Sequence, residues 1–237
     1  MTDRLRGILP VLPTPFAPGG AVDAAALRRA ARFALRAGVD GVVFPGFASE
    51  VETLSADERA TLLRAVVDEV GTRVPVIAGA SAPDWREVAA HGRVAADLGV
   101  RHLMVQPPKS IGTGAPALIE FLARVADALP GMGLILQNAP APRGSDLTPQ
   151  AIVEICAAVP QVAHVKEETL PAGPAITHIL AHAPATLLGV IGGGGARYVL
   201  DEYARGACAA MPALEIADLH VALDRAFRAG RLAEARA

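Results

Sequence analysis

Short apolar runs alternate with longer amphipathic stretches from one end of the chain to the other. The runs at 8–12, 42–44, 74–78, 102–105, 133–136, 162–165, 186–190 and 207–209 are rich in Val, Ile and Leu and too short for buried helices, so they read as strands buried on both faces. The stretches between them carry helix signals. Asp23 caps a segment that Gly38 stops. Ser55-Ala-Asp-Glu58 is a capping box for a helix to about residue 70, and Asp84 and Thr148 open helices over 85–98 and 149–158. Further helical patterns cover 115–129, 174–182 and 213–229, and the run Gly192-Gly-Gly-Gly195 is expected to open a helix to residue 204.

This makes eight strand–helix units with no two strands in succession and no linker. Strands that alternate with helices form a parallel sheet, and eight such units in this length predict a (β/α)8 TIM barrel, one domain over residues 1–237. A doubly wound open sheet would need fewer repeats.

Composition narrows the function classes. With 237 residues, 52% of them hydrophobic, the chain can bury a substantial core. A net charge of −2 offers no electrostatic footprint for nucleic acid or an anionic membrane. No apolar run is long enough to cross a bilayer, and the first residues lack the core of a signal peptide. Cys156 and Cys208 lie far apart in apolar segments with no metal-ligand spacing, which fits a reduced, cytoplasmic setting.

Barrel chemistry sits at the C-terminal ends of the strands. The residues there are Thr14 and those at 46–50, 79–81, 106–109, 137–140, 166–168, 192–195 and 210–211. The chain has only two lysines, Lys109 and Lys166, and both fall in this set. Lys166 follows four mostly apolar residues, and an ammonium is too costly to leave unpaired in a core. It reads as an amine nucleophile, for which burial favours the reactive neutral form. The plainer reading is a structural ion pair with Glu167 or Glu168. Lys109 is the rival nucleophile, though its Pro-rich loop suits an anion contact better. His164 shares the inward parity of Lys166 and reads first as a hydrogen-bonded core residue, second as a proton carrier. The glycine run is an anion cradle or a flexible loop, and both stay open. His178 and His182 have helical spacing that suits a metal, but a solvated helix face is the simpler account.

Several of these stretches share one resemblance. Gly7-Ile-Leu-Pro-Val-Leu-Pro-Thr-Pro-Phe16, Gly46-Phe-Ala-Ser-Glu50 followed by Thr53-Leu-Ser55 and Glu58-Arg59, Asn138-Ala-Pro140 and Lys166 occur in the order found in the dihydrodipicolinate synthase/N-acetylneuraminate lyase family. The resemblance covers nearly the whole chain. It implies a class I aldolase-type barrel whose strand-six lysine forms an imine with a small 2-oxo acid, commonly pyruvate, with no metal or organic cofactor. It also implies a homodimer or homotetramer.

The departures shape the expected site. The family's Gly-Thr-Thr-Gly-Glu loop is Gly46-Phe47-Ala48-Ser49-Glu50 here, and its Tyr-Asn-x-Pro is Gln137-Asn138-Ala139-Pro140. A tyrosine pair after strand four is replaced by Pro107-Pro108, so the family's hydroxyl relay is absent at these positions. Arg143 stands one place from a family arginine that binds the substrate carboxylate. Family members usually continue past the eighth helix into a C-terminal helical segment, so a barrel without that extension and with exposed apolar surface is expected. Lys166 is then the catalytic lysine, Glu168 the nearest general acid/base, and Gln137 a group that can hydrogen-bond but not act as an acid. Phe47, Ala48, Ser49, Asn138, Arg143 and Gly192 are expected to bind substrate. The leading reading is a Schiff-base lyase or aldolase. The alternatives are an imine-dependent dehydratase or deaminase, and an inactive barrel that serves binding or assembly.

Overall fold

The computed structural model describes residues 4–237. Eight strands form a parallel sheet: β1 (Gly7–Ile8), β2 (Val42–Phe44), β3 (Val76–Gly79), β4 (His102–Val105), β5 (Gly133–Asn138), β6 (Val162–Glu167), β7 (Gly189–Gly192) and β8 (Ala209–Ala210). Sequence neighbours pair from β2 through β8, and β8 pairs with β1. A parallel bridge between Val11 and Val43 joins the β1 segment to β2 and closes the ring. The expected (β/α)8 barrel is what the chain forms.

Two apolar layers hold it together. The inner one fills the barrel with Leu9, Val11, Val43, Ile77, Met104, Ile135, Ile191 and Met211. The outer one lies between the strands and the helices α1 (Ala24–Ala37), α2 (Ala56–Val70), α3 (Trp85–Asp97), α4 (Ala115–Ala128), α5 (Pro149–Ala158), α6 (Gly173–His182), α7 (Val199–Ala204) and α8 (Ala217–Arg228). A short α9 (Leu232–Arg236) follows, which the sequence pattern did not announce. The caps work as read. Asp23, Asp84 and Thr148 each accept a backbone N–H, Ser55 and Glu58 cap reciprocally, and Gly38 ends α1 in the left-handed conformation at φ 83.

Several boundaries differ: β1, β3 and β8 span Gly7–Ile8, Val76–Gly79 and Ala209–Ala210 instead of 8–12, 74–78 and 207–209, and α8 starts at Ala217 instead of 213. The two strands β5 and β6 run two residues further than their apolar runs, through Gln137-Asn138 and Lys166-Glu167, because ladder pairing continues past the last apolar side chain. Strand β7 begins at Gly189 rather than 186. The glycine run does not open α7. Gly194 and Gly195 have φ of 57 and 72, and Ala196 follows at 59, values that no right-handed helix contains, so the helix starts only at Val199.

Candidate active site

The parallel register sets Gln137 beside Lys166 and Lys166 beside Ile191, so these three share the upper inward layer of the barrel. Lys166 is only 3% exposed. Its Nζ lies 3.2 Å from Oε1 of Glu168, and Gln137 Nε2 donates to the other carboxylate oxygen at 2.5 Å. One carboxylate thus joins the amine to the amide, in a place with little water to weaken charge-assisted contacts. Glu168 stands just past β6 and is anchored by its own N–H to the Asn138 carbonyl at 2.9 Å. Gly193 makes room for it. A Cβ there would come within 2.3 Å of Glu168 Cγ, so this glycine is needed for a close approach rather than for an anion cradle.

Beneath Lys166, His164 is fully buried, and its Nε2 accepts the Leu5 N–H at 3.2 Å. Burial chiefly, then the neighbouring His102 and Arg4 charge, pushes its pKa down to about 3. The ring is neutral and held in place. This fits the hydrogen-bonded core reading, with Nδ1 carrying the proton.

Strand alternation sends the next residues to the opposite face, and two expectations change there. Asn138 does not line the mouth. It is fully buried behind the sheet, where it donates to Leu147 O at 3.1 Å and to Glu167 Oε2 at 2.9 Å, and accepts the Leu147 N–H at 2.8 Å. Gly192 likewise faces away from Lys166, since a Cβ on it would meet Glu202 Oε2 at 2.0 Å. Glu167, also behind the sheet, accepts the Thr169 N–H at 2.9 Å and its hydroxyl at 2.6 Å. Burial raises the Glu167 carboxyl, and these bonds with that from Asn138 pull it back. Glu202 is 1% exposed and neither of its oxygens has a hydrogen-bond partner. Burial first, then Asp201 and Glu167, pushes its carboxyl up to about 7.

The rim is built by the loop after β2. Residues Phe47–Ser49 form a 3-10 turn, and Glu50 ends it with φ 54. Ser49 is fully buried; its hydroxyl donates to Leu12 O at 2.5 Å and accepts the Gly46 N–H at 2.9 Å. Its donor is spent on the loop, so Ser49 shapes the rim instead of offering a hydroxyl to substrate. Thr14 supports the same turn by donating to Ser49 O at 2.6 Å. Ala48 is exposed, and the half-buried Phe47 ring lies 5.3 Å beneath the guanidinium of the exposed Arg143. Gln106 Nε2 donates to Arg143 O at 3.2 Å, while the exposed Lys109 donates to Pro142 O at 2.7 Å. The structure therefore brings Lys166, Gln137 and Glu168 together, places Phe47, Ala48 and Arg143 on the rim, and removes Asn138 and Gly192 from it. Residue types alone could not reveal the supporting roles of Gly193 and Thr169. Strand parity, extended two residues, would have separated Gln137 from Asn138. His178 and His182 stack at 4.4 Å, and among the described residues no three His, Cys, Asp or Glu side chains gather as metal ligands. No helix of the described residues is long and apolar enough to cross a membrane.

The model of the dihydrodipicolinate synthetase family matches residues 4–210. A 4-hydroxy-tetrahydrodipicolinate synthase of Xanthomonas axonopodis pv. citri (strain 306) is 41% identical over 164 residues, which is 69% of this chain and 53% of that protein. The chain thus spans about half the length of that curated relative. An L-2-keto-3-deoxyarabonate dehydratase of Azospirillum brasilense is 33% identical over 233 residues, 97% of this chain and 75% of that protein. The crystal structure of a dihydrodipicolinate synthase from Rhodopseudomonas palustris superposes with a TM-score of 0.91 at 25% identity, over 100% of this chain and 79% of that one. With the family model matched over most of its length and the barrel shared, the chain belongs to the dihydrodipicolinate synthetase family.

Proposed function

We propose that the chain is a Schiff-base lyase or aldolase-type enzyme in which Lys166 forms an imine with a small 2-oxo acid, pyruvate or a derivative. The observation that carries this reading is the placement of Lys166, 3% exposed, on β6 of a barrel of this family. The ion pair with Glu168 at 3.2 Å, with Gln137 fixing the far oxygen of the carboxylate, sets a proton acceptor beside the amine. The lysine passes a proton to Glu168 along that contact, and the neutral amine adds to the C2 carbonyl. The resulting hydroxyl leaves as water with the proton that Glu168 returns, and the iminium remains. The iminium withdraws electrons from C3, and Glu168 then takes a C3 proton to give the enamine. This carboxylate thereby covers proton transfers for which no tyrosine is in place. Gln137 orients it, and Arg143 above Phe47 is the group on the rim suited to the substrate carboxylate. The imine itself serves as electron sink, so no metal or organic cofactor enters the scheme.

The enamine can add to an aldehyde, whose oxygen takes the proton from Glu168, or it can expel a C4 hydroxyl as water with the same proton. Elimination has one specific support: the dehydratase relative matches 97% of the chain. A homodimer or homotetramer belongs to the same proposal, and the exposed Ile216, Leu219 and Leu232 on and beside α8 and α9 give it an apolar surface. Incubation with pyruvate and borohydride, followed by peptide mass analysis, tests the imine. An adduct on the Lys166 peptide is expected; an unmodified lysine after exposure to a panel of 2-oxo acids refutes it. Product analysis with 3-deoxy-2-oxo sugar acids then separates dehydration from carbon–carbon cleavage.

A further inference from the structure

A large cavity, about 870 Å³, opens at the end of the barrel opposite Lys166, among the loops that lead into β1, β2, β3 and β4. Its lining carries Arg4, Arg6, Arg73 and Arg101 against one carboxylate among the described residues, Asp40. Asp40 is already engaged, since its Oδ2 accepts the Ile8 N–H at 3.1 Å. The arginines do not all count equally. Helices α1, α2 and α3 end at this face, and their terminal carbonyls attract cations. Arg73 answers that need, because its guanidinium donates to Glu69 O and Val70 O at the end of α2. Arg4, Arg6 and Arg101 do not: their side chains make no hydrogen bond and no ion pair within the described residues. Three arginines with uncommitted side chains thus line one concavity of a chain whose overall charge is −2. A cleft lined by one sign of charge focuses its field, and guanidiniums pair with phosphate and carboxylate through paired N–H donors.

We propose that this cavity binds a small anion with two or more negative charges, a phosphate compound or a polycarboxylate, at a site separate from the imine lysine. The floor is His102, whose ring meets that of His164 edge-on at 6.2 Å, so a ligand here would rest on the column of side chains beneath Lys166. The inference does not depend on the proposed reaction.

The test is calorimetric titration of the whole chain with pyrophosphate and, separately, citrate, with sodium chloride used to hold ionic strength constant. Saturable binding of one anion per chain is expected, weakened at least tenfold in the Arg6→Gln/Arg101→Gln double variant. Both side chains are exposed, so the variant is expected to fold, and circular dichroism checks this. Borohydride trapping of pyruvate at Lys166 should be unchanged in it. Heats of dilution alone for both anions would overturn the proposal, as would equal affinity in the double variant.

Discussion

Replacing Glu202 by glutamine isolates the cost of a buried carboxylate. The side chain is 1% exposed, its oxygens have no donors, and Asp201 and Glu167 face it with charges of the same sign. Its carboxyl moves from an ordinary 4.5 to about 7 in the folded chain. At about 1.4 kcal/mol per pH unit, that corresponds to roughly 3 kcal/mol. The sign follows from proton binding. Below pH 4.5 both folded and unfolded chains hold the proton, and the group costs nothing. Between 4.5 and about 7 the unfolded chain releases it first, so stability falls as pH rises. Above that the folded form ionises too, and the penalty stays constant. Glutamine cannot ionise, so the variant lacks this loss. Guanidinium unfolding at several pH values between 4.5 and 8 provides the assay, read as the variant's stability minus that of the native chain. The difference should shift in favour of the variant by about 2–3 kcal/mol from the acid to the alkaline end. Comparison across pH cancels any fixed cost of burying the amide. A difference that does not change with pH refutes the reasoning.

Three further outcomes follow from the site and the caps. Glu168→Gln should slow the formation of borohydride-trappable imine at Lys166 and slow deuterium exchange at C3 of pyruvate by about 10²–10⁴-fold, measured by NMR; unchanged exchange would remove Glu168 from the proton transfers. Gly193→Ala would place a Cβ 2.3 Å from Glu168 Cγ and push that carboxylate away from Lys166. The same exchange should then fall at least about tenfold, which corresponds to about 1.4 kcal/mol, with the circular dichroism spectrum retained. Ser55→Ala breaks the capping box of α2 and should cost about 0.5–2 kcal/mol in denaturant unfolding, with no effect on imine trapping.

Much of this protein could be read from local sequence. Apolar runs, the caps at Asp23, Ser55, Asp84 and Thr148, and the stop at Gly38 depend on residues within a turn or two of each other, so they determined where most helices lie and how many strand–helix units alternate. That count led to the barrel, and the position of a rare lysine after the sixth apolar run marked the residue for which an imine is proposed. Contacts between distant segments decided the rest. Pairing extended β5 and β6 past their apolar runs, which turned Gln137 and Lys166 inward and sent Asn138 and Glu167 behind the sheet. The Leu12 carbonyl claimed the Ser49 hydroxyl, and Glu168 filled the space that Gly193 leaves open. The cationic cavity at the far end likewise joins arginines widely separated along the chain. Propensity and periodicity act over a few residues, so they determined the elements. Which face a side chain takes at a strand's end, and which partner reaches it, is settled only when the eight strands close on one another.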